Sequence, residues 1–468
     1  MGTDFFIYMK SELSLLLIIF ALLIIKVWDG IQDNKVLLML ANILLLINFL
    51  FGLVLNFDGQ LFNGMFYTNE IISTEKSILN LGMLVVSLTG YGWLKVHKHL
   101  LEFYVLILST LLGMFYMISS GNLLMFYLGL ELSSIPLAAL VNFDMERRTS
   151  SEGAMKMILS SAFSSAIMLF GISMLYGTTG TLSMAELPAL LSGGYLQILS
   201  LVFVFTGFAF KLSSVPFHLW TADVYEGAPV TVTAFMSVIS KAAMVFVFMS
   251  VLAPLFVNMQ GIWYGILFLS IVLSITVGNL FAMRQSSMKR FLAFSSIAQV
   301  GYILLGLSSG NEMGATSTLY FLVVYLFSNL AVLGVVSIVS SETGKENISD
   351  YKAFYKNNKA LSWVIAIALF SLAGIPPTAG FFGKMFLVTA GASKGNYILV
   401  TLAALNMVVS LYYYLRVVKA IFIEENETPM EQVKINGSAA IGLIICMIGV
   451  VMTGFASALY DYFNSLFL

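Results

Sequence analysis

The stretch QILSLVFVFTGFAFKLSSVPF, residues 197–217, decides the fold class of this protein. It is apolar for most of its length, and a helix of ~20 such residues crosses the hydrocarbon core of a bilayer. It also contains Lys211 and Pro216. Proline removes one backbone hydrogen bond and clashes with the preceding helical turn. The stretch therefore predicts a membrane helix that is broken beside an ionisable side chain.

The composition of the whole chain agrees with a membrane protein. Of its 468 residues, 59% are hydrophobic and 10% are charged, whereas a soluble domain carries roughly 25% charged residues. So few charges cannot cover a surface that faces water, which excludes a soluble globular fold. The formal net charge of -1 gives no reason to expect a nucleic-acid partner.

The few metal-binding side chains limit what the chain can hold by itself. It has one cysteine, Cys446, and three histidines, His97, His99 and His218. An iron–sulfur cluster needs four ligands, mostly Cys, and a structural zinc site needs about four Cys or His. We therefore expect no cofactor and no metal in this chain. His97 and His99 lie in a basic loop and are expected to be solvated.

An all-α, polytopic membrane fold with about fourteen spanning helices is predicted, because fourteen long apolar stretches alternate with short polar breaks. Their approximate bounds are 11–28, 36–57, 78–94, 100–120, 122–141, 154–176, 197–217, 230–257, 261–283, 290–309, 316–340, 361–389, 397–421 and 436–463. The first stretch has a flank of mixed charge and no small-residue cleavage site, so we interpret it as a retained helix rather than a signal peptide.

Basic residues predict the orientation of the spans. With fourteen spans, only Lys10, Lys76 and Lys394 fall in segments on the side of the two termini. Four more lie inside spans (Lys156, Lys211, Lys241 and Lys384), and the remaining 16 lysines and arginines all fall on the opposite side. Cytoplasmic loops carry the excess of Lys and Arg, so both termini are predicted to be non-cytoplasmic.

The twelfth span repeats the pattern of the seventh. Residues 361–389 contain Lys384 together with Pro376 and Pro377. Broken helices at matching places of two halves are typical of inverted repeats, and spans five apart must have opposite orientation. Prolines are also common in membrane helices without any repeat, so the pattern alone leaves both interpretations open.

Glu131 and Lys211 are the first candidates for chemistry. Glu131 lies near the middle of the fifth span, in LGLELSSIP, residues 128–136. A carboxylate at the bilayer centre costs ~2.5–3.5 kcal/mol on insertion scales, and such residues commonly serve transport. Glu131 and Lys211 either form a static buried ion pair or take part in a proton relay.

Other ionisable residues extend the candidate path. Lys241 and Lys384 lie deep in apolar segments, where burial and nearby charges balance the charged and neutral forms of an amine. Lys156 lies near a helix end, so it either joins the path or extends to the membrane surface. His218 follows the break at Pro216 and either shuttles protons or bonds carbonyls freed there.

Several separated motifs resemble the antiporter-like membrane subunits of NADH:quinone oxidoreductase, respiratory complex I, and subunit N in particular. They are FKLSSVPFHLWTADVYEGAP at 210–229, LGLE at 128–131, EGAMK at 152–156, MKRFLAFSSIAQVGY at 288–302 and GIPPTAGFFGK at 374–384. The resemblance covers roughly residues 100–420. The first seventy residues match only as apolar spans, so no residue role is transferred there.

The resemblance implies two inverted five-helix repeats with broken helices seven and twelve. It places N-terminal helices in residues 1–99 and a C-terminal helix in 422–468. The two repeats are residues 100–257 and 258–421. The resemblance also implies a glutamate whose charge tunes the protonation of a lysine, a second lysine at the centre of the proton path, and an ionisable residue at the end of that path. The matching residues are Glu131, Lys211, Lys241 and Lys384, with Lys156 on the sixth helix.

The function implied by the resemblance is proton translocation by a membrane-arm subunit, driven by quinone reduction in partner subunits. NADH, FMN, iron–sulfur clusters and quinone are then expected on those partners, and a bacterial plasma membrane is the expected location. Three alternatives stay open: a subunit of a cation/proton antiporter of the same fold, a structural spacer between pumping subunits, and a subunit of a membrane hydrogenase.

Overall fold

The computed structural model describes residues 2–28, 33–54, 57–455 and 457–467, without the side chains of residues 2 and 3. Parts of the first polar break (29–32), of the second predicted span (55–56) and of the last (456) lie outside the described residues. Within them the fold is almost entirely helical. One small hairpin adds to the predicted all-α fold, with Gly59–Leu61 antiparallel to Phe66–Thr68.

The described part of the chain contains helices at the positions of all fourteen predicted spans. Thirteen are single helices that are long and apolar enough to cross a membrane: Lys10–Trp28, Asn34–Leu53, Glu70–Thr89, Leu100–Ile118, Leu123–Val141, Arg148–Thr179, Tyr195–Leu212, Val230–Leu255, Val257–Ala282, Met288–Leu307, Glu312–Thr343, Tyr397–Phe422 and Gly437–Phe455. The predicted twelfth span consists of two shorter apolar helices, Lys359–Ala373 and Ala379–Ala392. The chain is therefore a multi-pass membrane protein.

Shorter helices complete the described chain. The α-helices are Gly2–Tyr8, Tyr91–Val96, Leu187–Leu190, Leu219–Gly227 and Ser457–Phe467, and the 3-10 helices outside the spans are Ile348–Tyr351 and Phe354–Lys356.

Both predicted helix breaks are confirmed. The seventh span stops at Leu212, and a separate helix begins at Leu219. The last turn of the seventh span ends at Ser213, which has a φ of 62°. The twelfth span stops at Ala373 and closes on Gly374, with a φ of 84°. Glycine adopts this left-handed conformation without steric cost.

The predicted bounds of the third span are wrong. The helix begins at Glu70 and ends at Thr89 rather than covering 78–94. A hydropathy window misses its first two turns because they carry Glu75, Lys76 and several small polar residues. These side chains are buried inside the protein, where Lys76 forms an ion pair with Glu12 of the first span. Lys76 therefore lies within a membrane span and not in a loop.

The described residues fall into two compact units. The first contains Met1–Leu84, His97–Ser213 and Ser240–Ile266, and the second contains Val85–Val96, Ser214–Ile239 and Leu267–Leu468. These units rest on contacts between residues. The division into inverted repeats at 100–257 and 258–421 rests on the resemblance and stays a prediction.

Small residues determine the packing in the first unit. The fourth and fifth spans cross where Gly113 faces Gly129. A Cβ atom on Gly113 would lie 2.5 Å from the backbone nitrogen of Ser133 and 2.8 Å from the carbonyl oxygen of Gly129. Membrane helices approach this closely only through small residues. The contact fixes the position of the fifth span, which carries Glu131.

The core of the second unit is the eleventh span, Glu312–Thr343, whose apolar window is fully buried. It packs against both pieces of the broken twelfth span. There Gly383 lies against the ring of Phe321, with 2.8 Å between that ring and a Cβ placed on the glycine. This packing holds the helix piece that carries Lys384.

Candidate functional site

Lys211 lies in the last turn before the break of the seventh span. Its ammonium nitrogen donates to the hydroxyl of Ser134 at 2.5 Å and to that of Ser161 at 2.9 Å. These serines belong to the fifth and sixth spans, so three helices meet at one amine. Neutral hydroxyls both accept from a charged ammonium and donate to a neutral amine, so this setting suits a lysine that changes its charge.

Glu131 lies one turn before Ser134 on the fifth span. It attracts Lys211 electrostatically and is within hydrogen-bonding range of Tyr127. Among the residues that the structure describes, no direct ion pair joins Glu131 to the amine, whose polar contacts are the two hydroxyls. The helix runs through Pro136 without interruption. This geometry favours electrostatic tuning over a closed static ion pair.

Lys241 is buried in the eighth span, with 2% of its surface exposed. π-helical turns lie on both sides of it, at Phe235–Ser240 and Phe248–Leu252. Such turns are rare and frequently mark functional sites. The segment Lys241–Val247 packs against the helix Tyr195–Leu212, so two lysine-bearing helices are in contact.

Lys384 is fully buried beside the break of the twelfth span. Its ammonium nitrogen donates to the carbonyl oxygen of Ala373 at 3.3 Å and lies 5.1 Å from the centre of the Tyr302 ring. Gln299 donates to the next freed carbonyl, that of Leu372, at 3.2 Å. Carbonyls released by a helix break inside a membrane need such partners, and here a candidate relay lysine is one of them.

A chain of polar side chains continues from this break. The amide of Gln299 donates to the hydroxyl of Tyr414 at 3.0 Å, and Tyr414 contacts Ser295 at 2.5 Å. On the same helix piece as Leu372, Ser371 accepts a hydrogen bond from Ser328 at 2.8 Å. Hydrogen-bonded chains of this kind can pass protons without a metal or cofactor.

Lys156 has a different environment. Its side chain is 42% exposed, and its nitrogen lies 2.7 Å from Glu152 one turn earlier on the same helix. This geometry favours the interpretation in which the amine extends towards the helix end. His218 is half-buried at the start of the helix Leu219–Gly227, where its ring interacts with the backbone of Pro216. One ring nitrogen, Nδ1, has no hydrogen-bond partner among the residues that the structure describes, so both interpretations of His218 stay open.

The acidic residues after the seventh-span break form contacts at the end of a loop. A single guanidinium nitrogen of Arg290 lies 2.7 Å from Asp223 and 2.8 Å from Glu226. These contacts occupy both carboxylates and fix the start of the tenth span.

Sequence reasoning missed the hydroxyl and amide partners of the lysines. Ser134 could have been found, because it lies three residues after Glu131 and therefore on the same helix face. Ser161 and Gln299 come from other helices, so no local spacing points to them. Glu12, Glu75 and Lys76 were also missed, because only the folded chain brings them together.

Comparison with known proteins identifies the family. The profile described as "NADH:quinone oxidoreductase/Mrp antiporter, TM" matches residues 120–410. NADH-quinone oxidoreductase subunit N of Phocaeicola vulgatus is 47% identical over 97% of each chain. A chain of respiratory complex I from Thermus thermophilus with bound aureothin is 30% identical, with a TM-score of 0.79 over 96% of this chain and 97% of that chain.

A more distant structure shares the fold alone. A chain of the Mrp complex from Dietzia sp. superposes with a TM-score of 0.85 over 98% of this chain and 97% of that chain, at 17% identity. The relatives at higher identity show to which branch of this fold the chain belongs. The chain belongs to the NADH:quinone oxidoreductase/Mrp antiporter membrane-subunit family, within its NADH-quinone oxidoreductase subunit N branch.

Proposed function

We propose that this chain moves protons across the membrane as one membrane-arm subunit of an NADH:quinone oxidoreductase. The observation that carries the proposal is the Lys211 amine, held by Ser134 and Ser161 beside Glu131 in a broken membrane helix. An amine in this setting can accept and release a proton when the nearby charge changes. The full-length relationship to subunit N proteins supports the assignment to this complex.

The proposed path runs from Lys211 to Lys241 and then to Lys384. A change of charge or conformation, started by quinone reduction in partner subunits, alters the attraction between Glu131 and Lys211. The proton then moves to Lys241, whose helix packs against that of Lys211. Lys384 releases it from the twelfth span. Lys156 and His218 are peripheral members of this path.

Energy for this movement comes from outside the chain. Moving one charge against 100 mV costs ~2.3 kcal/mol. We assign NADH, FMN, iron–sulfur clusters and quinone to partner subunits. We also assign the chain to a bacterial plasma membrane with both termini on the non-cytoplasmic side, which a reporter fused to the C-terminus tests directly.

The test of the relay is proton pumping by the assembled complex in proteoliposomes. Replacing Lys211 by Ala, or Glu131 by Ala, is expected to abolish or strongly reduce pumping, because each removes one partner of the tuned pair. Lys26→Ala is the comparison, since its exposed amine pairs with Glu102 at 2.7 Å and has no place in the proposed path. Unchanged pumping with Lys211→Ala in a fully assembled complex would refute the relay.

A cation/proton antiporter subunit is the competing function, because the Mrp chain has the same fold. The two functions differ in their energy source. Proteoliposomes that exchange cations for protons without NADH or quinone would favour the antiporter. Pumping that requires both substrates would favour the oxidoreductase.

A further inference from the structure

A second cluster of ionisable side chains lies in the N-terminal helices, apart from the proposed path. Glu12 belongs to the first span, and Glu75 and Lys76 belong to the third. None of the three exposes more than 2% of its surface. Buried ionisable groups inside a membrane protein are costly and usually serve a function. The family resemblance assigns no role to them.

Lys76 provides the only basic group buried with these two acids in the described part of the chain. Its nitrogen lies 2.5 Å from a carboxylate oxygen of Glu12. The same nitrogen faces the rings of Phe66 at 5.3 Å and Phe115 at 5.9 Å. Glu12 and Lys76 therefore form a compact ion pair enclosed by aromatic rings.

Glu75 is the unbalanced member of the cluster. Neither of its carboxylate oxygens has a hydrogen-bond partner among the residues that the structure describes. Two carboxylates thus share one ammonium group. A buried carboxylate without a partner of its own costs several kcal/mol in its charged form, and such a group becomes neutral by binding a proton.

The other charged and titratable groups that face the cluster do not remove this imbalance. Lys10, at the start of the first span, interacts electrostatically with Lys76 and is only partly buried. Tyr116 on the fourth span faces Glu12. Tyr67, in the hairpin before the third span, faces Glu75. Each tyrosine supplies a neutral hydroxyl rather than a countercharge.

Tyr67 connects the cluster to the eighth span. Burial, and secondly the charge of Glu75, raises the pKa of Tyr67 to about 12, so this phenol keeps its proton at neutral pH. Its hydroxyl also interacts with Ser250, on the same span as Lys241. A backbone hydrogen bond of 3.0 Å to Ser119 fixes the hairpin in place. Tyr67 can therefore donate and accept hydrogen bonds between the two regions.

We propose that Glu75 holds one exchangeable proton beside the ion pair of Glu12 and Lys76, and that this cluster is a further proton-holding site connected through Tyr67 to the eighth span. The proton binds to a carboxylate oxygen and leaves from it, without any change in oxidation state. The proposal deepens the proposed function and rests on it, because the site exchanges its proton with the same translocation path.

Infrared difference spectroscopy of the whole complex tests whether the proton is present. Glu75→Gln is expected to remove a C=O band of a protonated carboxylic acid. Glu70→Gln is the matched control, because Glu70 begins the same helix and is exposed. Glutamine resembles the neutral acid, so the variant complex should assemble normally. An unchanged C=O band, or a Glu75→Gln chain that does not assemble, would overturn the proposal.

Proton pumping by the same complexes separates this proposal from the function on which it rests. Glu75→Gln is expected to lower the ratio of protons pumped to electrons transferred relative to Glu70→Gln. If Glu75→Gln leaves this ratio unchanged while Lys211→Ala abolishes pumping, the further site is refuted alone. If Lys211→Ala also leaves pumping unchanged, the proposed relay is refuted as well.

Discussion

At the scale of single residues, Lys211 shows how an amine is kept inside a membrane protein while it remains able to change charge. Two hydroxyls contact it, and the carboxylate of Glu131 acts from further away. A direct ion pair would hold the ammonium in one state, because breaking a buried pair leaves an uncompensated charge. Hydroxyl contacts stabilise both the charged and the neutral amine, so the surrounding charge determines which form is present.

Removing these hydroxyls tests that interpretation. Ser134→Ala and Ser161→Ala each delete a hydrogen bond to a charged group, worth ~1.5–3 kcal/mol. The same hydroxyl stabilises the neutral amine by only ~0.5–1.5 kcal/mol. The difference between the two bonds, ~1–1.5 kcal/mol, corresponds to about tenfold in an equilibrium, so we expect each variant to shift the charge equilibrium of Lys211 about tenfold and to slow pumping. The measurement is the pumping rate in proteoliposomes, at matched amounts of assembled complex.

Neighbouring serines supply the controls for this experiment. Ser133 and Ser160 adjoin the two test positions. Among the residues that the structure describes, their hydroxyls donate to backbone carbonyls of their own helices, Ser133 to Leu130 and Ser160 to Lys156 and Met157. Ser133→Ala and Ser160→Ala should pump like the parent. Equal slowing in the test and control variants would show that the hydroxyls do not act through Lys211.

His97, in a loop outside the spans, gives a prediction about pH. It is partly buried and stacks on Phe143 with 4.6 Å between ring centres, which corrects the expectation that it is solvated. Burial lowers its pKa, although Asp144 opposes the shift. The folded chain thus prefers neutral histidine. Its contribution to stability is present above the unfolded pKa of ~6.5 and is lost as pH falls through the folded value.

The matching measurement is the midpoint of thermal unfolding in detergent, followed from about pH 8 to about pH 5 across the unfolded histidine pKa. The midpoint of the parent relative to that of His97→Gln should fall as pH is lowered across this range. His99→Gln, which changes an exposed neighbour, serves as the control. A parent midpoint that rises relative to that of His97→Gln as pH falls would contradict the assignment.

Sequence reasoning at this scale found the charged members of the path but not their partners. Glu131, Lys211, Lys241 and Lys384 stand out because charges are rare in apolar stretches. Ser161 and Tyr302 do not stand out, since serine and tyrosine are ordinary residues in membrane helices. Their roles depend on which helices pack together, and that information is not local.

At the scale of helices, close crossings of small residues fix the candidate site. Gly113→Ala would push a methyl group against the backbone of Ser133 and Gly129, neither of which can move alone. Overpacking of this kind costs ~1–3 kcal/mol. We expect a lower unfolding midpoint and weaker pumping, because the fifth span carries both Glu131 and Ser134.

Gly177→Ala is the control for this substitution. Gly177 is also helical, and a Cβ atom there meets nothing within 4 Å. Alanine favours helices over glycine by ~1 kcal/mol, so this variant should be as stable as the parent or slightly more stable. If both variants lowered the midpoint equally, the crossing of the fourth and fifth spans would not be the cause.

The breaks of the seventh and twelfth spans could be predicted from their prolines, whereas the start of the third span could not. Hydropathy assumes that polar residues face water. Glu75 and Lys76 instead face the protein interior, so the method assigned them to a loop. The hairpin at 59–68 was missed for a related reason, because its strands have only three residues each.

At the scale of the whole molecule, the proposed function makes the chain depend on partners for energy, because moving a charge against the membrane potential costs free energy. Its role is proposed to be the controlled change of charge on buried amines. The alternative role of a structural spacer predicts that the amines matter only for assembly. Replacing all of them in one chain separates these two accounts.

The central claim is tested most directly by proton pumping of the assembled complex with Lys211, Lys241 and Lys384 all replaced by Met. Methionine keeps most of the apolar length of lysine and removes its amine. The account predicts that this complex assembles but pumps fewer protons per electron than the parent, or stops turning over. Assembly and pumping equal to those of the parent would contradict it.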